Sequence, residues 1–387
     1  MSEVVDYWVE QLRNAPKIGT MTHMERATAA FDLKETDLVP VMPELDQWQI
    51  VNAGYTFPQI YDDVDKTTDA ALRTWAELRT DLIWQYVDIS HQLDPFIPPD
   101  QRHKYFDLRG GTDYVLFRPI TKDLDELIGM FEDKVWEKNG PGRAAEHFVP
   151  HIQQLAEFQR KMGDTVPVCT GAASPSNQAE TIVEVQTFIG WLVTEPKDKL
   201  HHLFELVTEE RCAAIDAYKE FAADLGVKFF CMWGGARTWG PRQLEEFGKY
   251  DAIYARKVAE VFEYPFWHIC GNNLPKAMEW INTIPAKAVQ YDEPMPQLRW
   301  SWPEWCEWVA RLYQGKKCVM NAPTTQVALH GTVEEVETMV NQFLDRSLPY
   351  TTAVVMPGCE LSTYTPKENA EAMIRAGRSF RRGNPPR

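Results

Sequence analysis

Short runs of apolar residues, rich in β-branched and aromatic side chains, recur along the chain, and longer amphipathic stretches separate them. Eight runs predict strands: LVPVM (38–42), DLIWQYVDI (81–89), TVPVCT (165–170), VKFFCMW (227–233), YPFWHIC (264–270), AVQYD (288–292), KCVMN (317–321) and AVVM (353–356). The spacing of apolar positions between them predicts helices, among them 63–78, 201–226 and 332–348. The last opens on Thr332 with Glu335 three residues on, the pattern of a capping box. Strict alternation of strand and helix implies a parallel sheet. Eight repeats imply an α/β fold of the closed (β/α)8 TIM-barrel type. An open doubly wound sheet shares the alternation, but no G-x-G-x-x-G or P-loop follows any predicted strand.

Residues 1–36 read as an N-terminal helical extension and 37–387 as the barrel. Residues 90–164 are long for one connection. They contain KYFDLRG and TDYVLFRPIT, which predict a hairpin inserted after the second strand, placed as a lid over the barrel mouth.

Composition narrows the function classes. A formal charge of −16 over 387 residues argues against nucleic acid or an anionic membrane as a partner. No apolar run approaches the ~18 residues a membrane span needs, and MSEVVDYWVEQLRNAP lacks the charged and apolar regions of a signal peptide. Seven cysteines without close spacing do not form a disulfide framework. These features predict a cytoplasmic protein with reduced thiols.

In a barrel of this type, chemistry sits at the carboxyl ends of the strands. Those ends carry Glu44 after the first strand, Asp88 and His91 at the second, and Met232, Trp233 and Arg237 after the fourth. His268, Cys270 and Asn272 end the fifth, Asp292 and Glu293 the sixth, Asn321 the seventh, and Cys359 follows the eighth. His268 and Cys270 are two apart in a strand and share a face, so with Cys359 they converge on one rim. One imidazole and two thiolates favour Zn²⁺, and three protein ligands leave a fourth position open, as in catalytic zinc sites. Asp292 or Glu293 could fill that position reversibly. The same cysteines also read as small core hydrophobes, Asp88, His91 and Arg237 as residues that anchor loops, and Met232 and Trp233 as pocket wall or core.

The segments VPVMPE, HICGNN, YDEP and PGCELSTYTPKENAEAMIRAG resemble the uroporphyrinogen decarboxylase superfamily, over about residues 22–378. The resemblance implies the same barrel. Decarboxylases of that superfamily carry an arginine-rich segment after the first strand, whereas VMPELDQWQIVNAG here has no arginine. An acidic segment would repel a polyacidic substrate.

The other branch, the corrinoid-dependent methyltransferases similar to methylcobalamin:coenzyme M methyltransferases, has a zinc motif that maps onto His268, Cys270 and Cys359. It maps a further carboxylate loosely onto Asp292 or Glu293. The remaining strand-end residues, Glu44, Asp88, His91, Met232, Trp233, Arg237, Asn272 and Asn321, are then expected to line the substrate site.

This resemblance implies methyl transfer between a small methylated ether, thioether or thiol and the cobalt of a corrinoid. No Asp-x-His-x-x-Gly motif surrounds any of the nine histidines, so the corrinoid is expected on a separate partner protein. Barrels of this family often pair, which implies a homodimer. The NAPTT segment (321–325) departs from the Gly-Asn pattern of that branch, and the chain has 14 tryptophans. Both suggest a bulky, aromatic methylated substrate; the expected role is the demethylating component, with transfer from methylcobalamin to a thiol as the alternative direction.

Overall fold

The computed structural model describes residues 2–60, 63–85, 96–97, 106–107, 115–116, 119–133, 142–234, 239–271 and 273–381. Seven parallel strands form its main sheet: β1 (Ile83–Trp84), β4 (Val168–Ala173), β5 (Phe229–Gly234), β6 (Tyr264–Ile269), β7 (Ala288–Gln290), β8 (Cys318–Asn321) and β9 (Ala353–Val355), neighbours in that order. Two short strands, β2 (Phe106–Asp107) and β3 (Val115–Leu116), pair antiparallel, which is the hairpin expected in the insertion.

The first expected strand, 38–42, survives only as a bridge between Val41 and Val355. Pro40 and Pro43 flank Val41 and have no amide hydrogen to add to a ladder. The segment still joins both ends of the sheet. The Met42 amide donates to the Val355 carbonyl and the Val355 amide to that of Pro40, each at 2.9 Å, and the Asp81 amide donates to the Val41 carbonyl at 2.8 Å. The eighth place in the ring is therefore filled, and the sheet closes as a barrel.

Strand periodicity sorts the core into two bodies. Met42, Trp84, Cys169, Phe229, Cys231, Phe266, Ala288, Cys318, Met320 and Val354 pack together inside the ring. The alternate residues Val41, Ile83, Val168, Phe230, Met232, Trp267, Val289, Val319 and Val355 pack outward with the helices.

One helix belongs to the interior. His23–Phe31 begins with a full capping box between Thr22 and Glu25. Its Ala27, Ala30 and Phe31 join the inner cluster, and Phe31 meets Phe229, Tyr264 and Phe266 edge-on, at centroid distances of 5.2, 6.1 and 5.9 Å. Phe229 and Tyr264 open their strands, so this helix plugs the amino-terminal end of the barrel.

A buried charge network holds the plug. The Arg26 guanidinium spans Asp37 at 2.7 Å and Asp81 at 2.6 Å, and Asp81 also receives His23 at 2.9 Å and Arg378 at 2.7 Å. The bottom is closed, and the opposite rim carries the chemistry. The helix expected at 332–348 forms at Val333–Ser347 with Thr332 and Glu335 in a capping box. No helix among the described residues is long and apolar enough to cross a membrane.

Candidate metal centre

Strand β6 supplies two of the three clustered donors. Tyr264, Phe266 and His268 alternate on the inner face, and Cys270 continues that face just past the last paired residue. Gly271, at φ 68°, ends the strand in a conformation that favours glycine. The third donor, Cys359, lies in the turn after β9, and the ligand atoms of His268, Cys270 and Cys359 all lie within 4.8 Å of one another.

The two spacings at Cys359 fit one ion. Cys270 Sγ is 3.4 Å from Cys359 Sγ, and Cys359 Sγ is 3.6 Å from His268 Nε2. A tetrahedral zinc at ordinary bond lengths sets S–S and S–N edges of about 3.6–3.8 Å. The sulfurs are not joined in a disulfide, whose bond is about 2.05 Å. Two sulfurs and one imidazole nitrogen form a soft set that suits zinc.

Behind the imidazole, Nδ1 is buried without a hydrogen-bond partner, 3.9 Å from Glu44 Oε2, while Nε2 faces Cys359 Sγ and is the atom left for a metal. Glu44 is 3% exposed, and its oxygens accept from Trp233 Nε1 at 3.1 Å and from Gln290 Nε2 at 2.8 Å. The same Gln290 nitrogen donates to the Pro357 carbonyl at 2.9 Å, two residues before Cys359. Gln290, at the end of β7, thus ties Glu44 to the turn that carries the second thiol. Register explains the meeting: Trp233, His268 and Gln290 are consecutive partners across β5, β6 and β7.

Charge follows from this packing. Burial alone would lower the His268 pKa, but the Glu44 charge and the contacts of Cys270 and Gln290 outweigh it and push it up to about 9. The Cys359 thiol is pushed well above its usual range by its bond to Cys270, by burial, and by the charges of Cys270, Glu44 and Glu360. Both groups therefore hold protons at neutral pH until a cation displaces them.

Around them stand more buried carboxyls. Asp46, 3% exposed, is raised well above the carboxylate range by burial and then by Glu360 and Glu44. Asp292 is pushed up to about 6, chiefly by burial and also by Glu293 and Cys270, and its Oδ1 is buried without a partner. Gly358 makes room for it, since a Cβ there would collide with the Asp292 carboxylate.

The strand-end expectations divide. His268, Cys270, Cys359, Glu44, Trp233 and Asp292 come together. Met232 does not: alternation turns it outward into the helix-facing core, while its neighbour Trp233 faces in. Asn321 is also turned away, opposite to the inward Met320, and its Oδ1 accepts from the Ala322 amide at 2.7 Å. Glu293 is exposed. Asp88, His91, Arg237 and Asn272 lie outside the described residues.

Gln290 is a site residue that the strand ends do not single out; its even spacing from Asp292 is the signal the sequence carries. The tryptophan count gives the site little: Trp48, Trp75, Trp84, Trp191, Trp239, Trp267 and Trp305 are packed in the core.

Comparison with known proteins fits this architecture. Residues 119–380, well over half of the chain, match the family described as uroporphyrinogen decarboxylase (URO-D). No curated protein matches the chain. Among solved structures, a methyltransferase from Methanosarcina mazei superposes with a TM-score of 0.71 at 17% identity, covering 92% of this chain and 98% of the other. A B12-independent methionine synthase from Shewanella sp. W3-18-1, in complex with selenomethionine, gives a TM-score of 0.42 at 15% identity, covering 58% of this chain and 65% of the other.

Proposed function

The chain belongs to the uroporphyrinogen decarboxylase family, and from that premise we propose that it is a zinc-dependent methyltransferase working with a corrinoid. The observation that carries the reading is the set His268 Nε2, Cys270 Sγ and Cys359 Sγ, all within 4.8 Å of one another at the open end of the barrel, with the two edges at Cys359 near those of a zinc tetrahedron. Bound there, zinc with two thiolate ligands would polarise an ether or thioether heteroatom, or hold a thiol as thiolate.

The chain's own residues do the rest. Glu44 and Gln290 orient the imidazole. Trp233, held by Glu44, walls the site. Asp292, buried and unpartnered at Oδ1, is the carboxylate suited to a reversible fourth position. The barrel aligns the methyl group for in-line displacement.

The methyl acceptor in this reading is cob(I)alamin on a separate corrinoid protein that approaches the barrel mouth, and the substrate is a methylated ether or thioether. The buried carboxyl of Glu44 beside the donors favours neutral or cationic substrates over polycarboxylates. That disfavours the decarboxylation of a porphyrinogen.

The test is anoxic incubation of the zinc-loaded protein with cob(I)alamin and a panel of aryl methyl ethers and methyl thioethers. The reading expects spectral conversion to methylcobalamin with at least one donor class. No conversion with any donor contradicts the demethylating direction.

A further inference from the structure

Two of the seven cysteines face each other across a gap that a small motion can close. Cys270 Sγ and Cys359 Sγ are 3.4 Å apart, and both residues keep some solvent exposure. The remaining cysteines differ. Cys169, Cys231, Cys306 and Cys318 are buried in the core, and Cys212 lies on the helix Lys197–Leu225. Burial keeps an aqueous oxidant from the four core thiols, whereas Cys212 is partly exposed like the pair.

We propose that Cys270 and Cys359 are a peroxide-sensitive modification site: a two-electron oxidation joins them in a disulfide. One sulfur attacks hydrogen peroxide, the O–O bond breaks, and a sulfenic acid and water form. The second sulfur attacks the sulfenic sulfur, the S–S bond forms, and a second water leaves. Two thiols and one peroxide thus give one disulfide and two waters. When both sulfurs are metal ligands, two further protons are taken up and the ion leaves as the aqua cation. Closing the bond moves the sulfurs inward by about 1.4 Å.

Two positions favour closure. Cys270 is just beyond the paired end of β6, and Cys359 is in a turn beside Gly358. The formation of the disulfide does not rest on the proposed zinc; the release of an ion does.

The full-length protein, as purified and after removal of metal by a chelator, is treated with hydrogen peroxide, unfolded in guanidinium chloride, alkylated, digested and mapped by mass spectrometry. The expected result is one cross-linked peptide pair joining Cys270 to Cys359, with alkylation lost at those two positions and recovered after dithiothreitol. The other five cysteines stay alkylatable in the same samples. In the metal-loaded sample, a chromogenic chelator detects about one equivalent of zinc as the cross-link forms.

Cross-linking without any metal in the purified protein supports the disulfide and counts against the zinc reading alone. Sulfinic or sulfonic acids at both positions without a cross-link overturn the proposal, as does unchanged alkylation at both. All readouts use the wild-type chain, so a misfolded variant cannot mask the outcome.

Discussion

The His268 imidazole lies between a thiol 3.6 Å from Nε2 and the Glu44 carboxylate 3.9 Å from Nδ1. Removing what lies behind the ring should act on the metal rather than on the fold. Glu44→Gln and Gln290→Ala are expected to weaken zinc binding by about 10–100-fold in competition with a chelator. Unchanged affinity in both would mean that the Glu44–Gln290 pair does not set the ring. Gly358→Ala acts by volume, because its Cβ meets the Asp292 carboxylate. It is expected to lose zinc and about 1–3 kcal/mol of stability by urea unfolding.

At this scale the sequence was partly legible. The i, i+2 pair His268 and Cys270 is a statement about one strand, and it is readable in one strand. Gln290 matters because its neighbour across the sheet is His268, and register between strands is not written in either one. Met232 and Asn321 were named for standing at strand ends, but side-chain alternation, not proximity to an end, decides which face a residue serves.

Among elements, the helix His23–Phe31 has a measurable part in the architecture. Phe31 is 2% exposed against three aromatic rings. Phe31→Ala is expected to destabilise the protein by about 3–5 kcal/mol in urea unfolding.

The charges that pin this helix make stability depend on pH. Burial would raise the Asp81 pKa, but Arg378, His23 and Arg26 outweigh it and bring it down to about 2. A carboxyl whose folded pKa is depressed stabilises the fold above its unfolded value and loses that contribution as pH falls through the folded value. About 2 kcal/mol should disappear between pH ~4 and ~2. The His23 pKa is lowered, chiefly by burial, so stability also begins to fall as pH drops below 6.5. Urea midpoints measured from pH 7 to pH 3 should decline, and Asp81→Asn should flatten the acid part of the curve. A flat wild-type profile would contradict this account of the network.

The elements themselves were largely readable, because strand and helix periods differ. The first strand is the exception: its apolar run is real, but Pro40 and Pro43 limit it to one bridge. That helix 23–31 plugs the ring, rather than lying outside it, depends on contacts with the distant strands β5 and β6 that no local pattern encodes.

For the whole molecule, plug and site stand at opposite ends of one closed barrel. The plug end is sealed by aromatics and a buried ion network, and the other end gathers the soft donors and the carboxyls. With acidic groups at that end and a formal charge of −16, a polycarboxylated porphyrinogen is expected neither to bind nor to be decarboxylated. Turnover of one would overturn the assignment of substrate charge.

The most direct test of the central claim is the metal content of the protein purified under reducing conditions, measured by elemental mass spectrometry beside Cys270→Ser and Cys359→Ser. The account predicts about one zinc per chain in the wild type and a loss of it in both variants, with circular dichroism unchanged. A wild type that takes up no zinc even after reconstitution would contradict it, and would return the two cysteines to the role of small side chains at the rim of the barrel.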